Sequence, residues 1–198
     1  MSGAGGGHEA LLLALGLEPA GAAALGHYLD LVAAWSPRIN LTGAGSPAER
    51  VRVLVAPVWG AAAGLEPGLL LDVGSGNGSP GLVLAALRPD LPATLLEPRQ
   101  KRWAFLREAA RAMGRPDVDV RRGRHDTYEG PPAQTLSVRA LALPPGELAP
   151  LVVPGGRLLV WGPEPRGDGE FFTPEPSPGP GIHARRRRPG ALPVSRST

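Results

Sequence analysis

Cysteine is absent from the 198 residues. That excludes disulfides, thiolate zinc sites and a cysteine nucleophile, and it fits a reducing compartment. Aromatic residues are scarce at 5%, and Lys101 is the single lysine among 21 cations. No apolar run approaches the ~20 residues of a membrane span. Residues 1–19 have no basic n-region, and the apolar stretch at 10–15 is too short for a signal peptide. The histidines, at 8, 27, 125 and 183, show no metal-ligand spacing. These absences lead to the expectation of a cytoplasmic protein with no membrane contact and no metal, and a monomer is expected beside them.

What is present is a chain with enough apolar residues, 42%, to bury a core. Gly 28 and Pro 24 make up about a quarter of it, near the level of low-complexity chains. They are unevenly spread, with 14 of them in residues 162–198. The formal charge is only +3, and the pI of about 10.1 reflects arginine in place of lysine. Arginine forks bind phosphate bidentately. Arginine-rich, Ala/Gly/Pro-rich composition is also what a GC-rich genome produces, so nucleic acid is permitted and not demanded.

Periodicity predicts helices over 8–17 and 20–35, the second with Leu25, Tyr28, Leu29, Val32 and Trp35 on one face. Ser46, Pro47 and Glu49 form a capping box that starts a third helix, which must bend or stop before Pro57. From residue 69 strands and helices alternate. Strands are expected at 69–73, 93–96, 118–120, 135–138 and 157–161. Helices are expected at 80–87 and 99–113, the latter with Trp103, Leu106, Ala110 and Met113 inward. That alternation predicts a Rossmann-like α/β fold, a doubly wound and mostly parallel sheet with N-terminal helices and a truncated C-terminal edge. Three parts follow: a helical cap at 1–64, a core at 65–162, and a Pro/Gly/Arg-rich tail at 163–198 without fixed structure.

The segment that carries chemistry is Asp72-Val73-Gly74-Ser75-Gly76-Asn77-Gly78-Ser79-Pro80-Gly81. It follows a strand and opens a helix that Ser79 is placed to cap. Gly74, Gly76 and Gly78 allow a tight turn and close backbone approach of a ligand. Glu97, 19 residues beyond Gly78 and ending the next strand, can take both hydroxyls of a ribose. Gly76, Gly78 and Gly81 also fit the nicotinamide pattern Gly-x-Gly-x-x-Gly, which keeps an oxidoreductase as an alternative. An acid two residues before the first of three alternating glycines looks like motif I of class I S-adenosylmethionine methyltransferases.

The order Asn40-Leu41-Thr42, Ser46-Pro47-x-Glu49, the loop 72–81, Leu95-Leu96-Glu97, Lys101-Arg102 and Phe105-Leu106 is similar to the bacterial small-subunit (16S) rRNA guanine-N7 methyltransferase family, RsmG/GidB. The likeness covers about residues 11–162. Arg139-Ala140 resembles the family's Ser-Arg-Ala-Phe stretch, and Arg187-Arg188-Pro189-Gly190 its basic tail. The resemblance implies S-adenosyl-L-methionine as cofactor and methyl transfer to guanine N7 in small-subunit rRNA or the 30S particle. It places cofactor contacts on Gly74, Ser79, His125, Asp126 and Arg139, beside Gly76, Gly78 and Glu97 read from the loop itself. It names no catalytic residue, because guanine N7 needs no general base.

The chain departs from the family on the substrate side. The family's Arg-His-x-x-Asp-Ser aligns with Val53, Leu54, Pro57 and Val58, and its Lys-Gly with Trp161-Gly162. A weakened or inactive homologue that binds cofactor or RNA is therefore a second reading. Arg185, Arg186, Arg187 and Arg188 are expected to meet RNA phosphates from the tail. Arg107, Arg111 and Arg115 read as a solvated face or a phosphate stripe, and 143–146 as a loop.

Overall fold

The computed structural model describes residues 6–190 apart from residue 168. Helix α1 (Gly6–Ala14) packs on α2 (Pro19–Ile39). Leu25, Tyr28, Leu29 and Val32 of α2 are buried, as their spacing requires. Asn40 ends α2 in the left-handed region, φ 49°, with its N–H returned to the Ser36 carbonyl. Asn tolerates that region better than most residues. Helix α3 (Pro47–Arg50) starts at the capping box, with both Ser46 and Glu49 bonds made. A π-helical turn at Val51–Val55 then leads straight into α4 (Ala56–Ala62). The bend expected at Pro57 is thus absorbed one turn earlier.

The core is a seven-stranded sheet in the order β3-β2-β1-β4-β5-β7-β6. Its strands are β1 (Leu70–Val73), β2 (Ala93–Leu96), β3 (Asp119–Arg121), β4 (Ala133–Arg139), β5 (Val152–Trp161), β6 (Phe172–Glu175) and β7 (Ile182–Arg187). The first five are parallel. β7 runs antiparallel to both β5 and β6. Helices α5 (Gly81–Leu87), α6 (Gln100–Ala112) and α7 (Pro145–Leu148) connect the parallel strands. β1 has β2 on one side and β4 on the other, so the strand order reverses there and opens a crevice at the carboxyl ends.

The two faces of the sheet are covered unequally. One packs against α1, α2, α4, α5 and α6 around Tyr28, Val58, Leu82 and Phe105. The other is covered by Tyr128, Leu148, Leu151 and Phe171 from α7 and the loops. On α6 it is Phe105, edge-on to Trp35 at 5.7 Å, that fills the core. Trp103 is half-buried instead, donating to the Val120 carbonyl and lying under Arg107. Arg115 belongs to neither a solvated face nor a phosphate stripe. It is buried, pairs with Asp117 and donates to the Ala85 and Leu91 carbonyls.

The expectation of a structureless tail and a truncated edge is corrected over the described part of 163–198. β7 and β6 complete the sheet beyond β5. Composition misled because a few apolar anchors suffice: Phe171, Phe172 and Ile182 are buried. Charges from distant elements do the rest. Glu175 accepts from Arg157 and Arg186, and Arg186 also reaches Glu66 just before β1. Residues 191–198 lie outside the described residues.

Candidate functional site

The crevice is built by the loop between β1 and α5. Gly74 and Ser75 both donate to the Leu96 carbonyl, which hooks the end of β1 onto β2. Gly76 has φ 53°, a conformation that side chains rarely adopt. That geometry lets its N–H donate to Glu97 Oε2 at 2.8 Å. Glu97 Oε1 accepts from the Arg99 N–H, also at 2.8 Å. A carboxylate offers about four acceptor positions, so each oxygen keeps one for a further donor. Gly81 is required for a different reason. A Cβ there would stand 2.5 Å from Asp72 Oδ2.

Asp72 lies under the loop, 1% exposed. Its Oδ1 accepts from Ser137 Oγ at 2.6 Å, and its Oδ2 has no hydrogen-bond partner among the described residues. Burial pushes its pKa up to about 6, against the hydrogen bond from Ser137 and with the Glu97 charge adding to the rise.

The N-terminal helices supply the opposite wall. Asn77 donates to the Leu41 carbonyl, and its Oδ1 accepts from the Ser79 N–H. The fully buried Tyr28 donates to the Asn77 carbonyl at 3.0 Å, and burial raises its pKa. Pro57 has no N–H to return to the Val53 carbonyl. Arg139 Nη2 takes that carbonyl at 2.7 Å, while Nη1 donates to Ser79 Oγ at 2.7 Å. Ser79 Oγ in turn donates to the Leu54 carbonyl at 2.6 Å. Ser79 therefore does not cap α5, whose first turn has no side-chain cap.

The glycine loop, Glu97, Arg139 and the turn at Val53 and Leu54 line an open cavity of about 570 Å³, with Asp72 and Tyr28 behind its wall. Of the residues expected to hold a cofactor, Gly74, Gly76, Ser79, Glu97 and Arg139 meet there. Gly78, His125 and Asp126 are not on its wall. Gly78 packs against Leu82 and Tyr28. His125 is buried and faces Glu147 at 3.1 Å, and Asp126 pairs with Arg124 at 3.4 Å. Arg124 lines the cavity in their stead, with Thr42, Asn77, Arg102 and Leu141. Of these, Asn77 was legible as the polar residue inside the glycine loop. Thr42 and Arg102 lie in the Asn40-Leu41-Thr42 and Lys101-Arg102 stretches that carry the resemblance.

The positions that depart from the family are also joined. Leu54 and Val58 are buried in the core, and Trp161 Nε1 donates to the Pro57 carbonyl at 2.9 Å.

The arginines of β7 are engaged within the fold. Arg185 donates to the Gly167 and Pro165 carbonyls, Arg186 pairs with Glu66 and Glu175, and the buried Arg187 donates to the Val152 carbonyl. Only Arg188 of the four is exposed. A different cluster flanks the cavity mouth. Arg38, Arg99, Lys101 and Arg102 line a shallow depression, and Arg99 and Arg102 also line the cavity. The exposed Arg38, Arg99 and Lys101 face no carboxylate within ion-pair distance among the described residues.

The family described as GidB, rRNA small subunit methyltransferase G, matches residues 22–154. The ribosomal RNA small subunit methyltransferase G of Symbiobacterium thermophilum is 46% identical over 107 residues, 52% of this chain and 44% of its own length. That of Xanthomonas euvesicatoria pv. vesicatoria is 36% identical over 153 residues, 75% of this chain and 72% of its own. Among solved structures, an rRNA methylase from Streptococcus thermophilus is similar with a TM-score of 0.49 at 14% identity, over 66% of this chain and 93% of that one. A SAM-dependent methyltransferase from Thiobacillus denitrificans, in complex with S-adenosyl-L-homocysteine, has a TM-score of 0.42 at 25% identity, over 51% and 44%.

Proposed function

The chain belongs to the rRNA small subunit methyltransferase G family, and on that premise we propose that it binds S-adenosylmethionine in the crevice and methylates N7 of a guanine in small-subunit rRNA. The observation that carries this reading is the Glu97 carboxylate, bonded to the Gly76 N–H at the floor of the cavity with an acceptor position to spare on each oxygen. A ribose diol fits that donor requirement. The volume, about 570 Å³, lies within the range of small-molecule sites. Glu97 would hold the ribose, and the backbone at Gly74 and Gly76 would accept close approach of the rest.

When bound, the cofactor supplies a sulfonium methyl: the guanine N7 lone pair forms the new N–C bond as the S–CH₃ bond breaks, and its electron pair returns to sulfur as a thioether. N7 already carries the reacting lone pair, so the protein's part is alignment, which removes several kcal/mol of barrier. The missing general base is therefore no obstacle. In duplex RNA the N7 edge faces a groove too narrow to enter, which makes the substrate an unpaired or splayed guanine.

The phosphate-binding surface in this reading is the cluster of Arg38, Arg99, Lys101 and Arg102, because its charges adjoin the cavity and pair with no carboxylate among the described residues. It replaces Arg185 to Arg187, whose guanidinium groups are turned to carbonyls and carboxylates within the fold. The partner in this reading is small-subunit rRNA, naked or in the 30S particle, in the cytoplasm.

A second reading, a homologue that binds cofactor without turnover, is favoured by one observation. Trp161 and Pro57 close on each other where the family carries ionic groups. Calorimetry with S-adenosylmethionine, S-adenosylhomocysteine and a nicotinamide dinucleotide tests the cofactor. Methylation of small subunits that lack the modification then separates the two readings: turnover supports the first, tight binding without turnover the second.

A further inference from the structure

A second cavity, of about 600 Å³, lies at the carboxyl ends of β4 and β5. It shares Ala140 and Leu141 with the cofactor cavity. Its floor is apolar, from Val138, Leu158 and Val160 of the strands and Leu148 of α7. Its rim carries Glu164 and Arg166.

The wall between the cavities is held in an unusual conformation. Ala140 has φ 52°, which a residue with a Cβ adopts only when its surroundings impose it. Its N–H donates to the Trp161 carbonyl at 3.1 Å, closing the last rung between β4 and β5. The chain then turns off the sheet and carries Leu141 over the glycine loop. A Cβ on Gly74 would stand 3.0 Å from Leu141 Cδ2. Leu141 nevertheless remains 40% exposed. An apolar side chain this exposed, at the partition of two cavities, has one face available to a flat partner.

We infer that this second cavity is the subsite of the target guanine, with Leu141 against the base and the Glu164 carboxylate reading its Watson–Crick edge. The inference rests on the proposed methyl transfer. Bases taken out of a stack are read through that edge and packed between apolar or aromatic side chains. Guanine presents N1–H and the 2-amino group side by side, two donors for one carboxylate. Adenine presents an acceptor at N1, which a carboxylate repels. N7 lies on the opposite edge of the purine. With Glu164 on the Watson–Crick edge, N7 turns toward the wall shared with the cofactor cavity. Glu164 is available for this, since its ion pair to Arg185 is loose at 3.8 Å and the side chain is 71% exposed.

The test uses the full chain saturated with S-adenosylhomocysteine and titrated with guanosine 5′-monophosphate or adenosine 5′-monophosphate, followed by saturation-transfer NMR. The guanine nucleotide is expected to bind better. Glu164→Gln should reduce its advantage over the adenine nucleotide by about tenfold, as expected for a lost hydrogen bond to a charged group. Val160→Trp, which fills the floor, should abolish guanine-nucleotide binding and methylation. Neither change touches the cofactor cavity, so S-adenosylhomocysteine affinity should hold in both. Glu164→Gln changes an exposed side chain and tests the inference even where Val160→Trp fails to fold. Equal binding of the two nucleotides, no binding of either, or an unchanged preference in Glu164→Gln would overturn it. Guanine-selective binding lost in Glu164→Gln, with no methylation by the wild type, would support the subsite and reject turnover.

Discussion

The Trp161 indole N–H donates to the Pro57 carbonyl across 2.9 Å, joining the end of β5 to the first turn of α4. Trp161 is 3% exposed, so the bond is shielded from water. Trp161→Phe keeps most of the packing and leaves the carbonyl unpaired. A loss of about 1–3 kcal/mol in urea unfolding is expected, with S-adenosylhomocysteine affinity unchanged. Wild-type stability in this variant would show the bond to be dispensable.

Glu97 and Gly76 carry the cofactor reading. Glu97→Ala should weaken S-adenosylhomocysteine binding by roughly 1.5–3 kcal/mol, the range for hydrogen bonds to a charged group. Gly76→Val should abolish it, since valine is disfavoured at φ 53° and would fill the space a ligand needs beside that backbone. Calorimetry reads both, and unchanged affinity in the pair would remove the loop from the site.

Asp72 makes stability depend on pH. Its folded pKa of about 6 lies above the unfolded value of about 3.9. Its contribution is fully present below about pH 4 and is lost as pH rises through 6. Without ligand, the unfolding free energy in urea should therefore rise between pH 7.5 and pH 5 by about 1.4 kcal/mol, half of the full effect of about 3 kcal/mol reached below pH 4. Asp72→Asn should flatten that rise. A slope that persists in the variant would assign it to other groups.

The cationic rim and the arginines of β7 should behave oppositely. Arg38→Glu with Lys101→Glu should weaken rRNA binding and lower the slope of log affinity against log salt by about 2, one for each phosphate left without its cation. Arg186→Ala should leave that slope alone and reduce stability, because Glu66 and Glu175 each lose one of their partners. Filter binding over a salt series, with urea unfolding alongside, distinguishes them. A slope that responds to Arg186→Ala would return RNA binding to β7.

The parallel half of the sheet was readable because its signals are local: apolar runs, a capping box at Ser46, alternating glycines, and an acid after the next strand. The cavity wall was not. Arg139 reaches Ser79 and Val53 because Pro57 frees a carbonyl in the π turn, a relation across 86 residues. Trp103 looked like core by spacing, yet farther along α6 it is Phe105 that meets Trp35. The C-terminal strands were unreadable for the same reason. Their composition is that of a loop, and the carboxylate that receives Arg186 is Glu66 on the far side of the chain.

Synthesis proceeds from the N-terminus, and the β7–β6 pair is the last part of the sheet to emerge. Until it does, β5 presents the backbone of Arg157–Trp161 unpaired along one flank. Such a flank invites pairing with another chain. The ion pair that closes it, Arg186 to Glu66, joins residues 120 apart. A chain stopped at residue 162 would carry every group of the proposed cofactor site and still expose this flank. The arginine-rich end thus acts as a seal on the nascent protein, protecting the sheet from its neighbours.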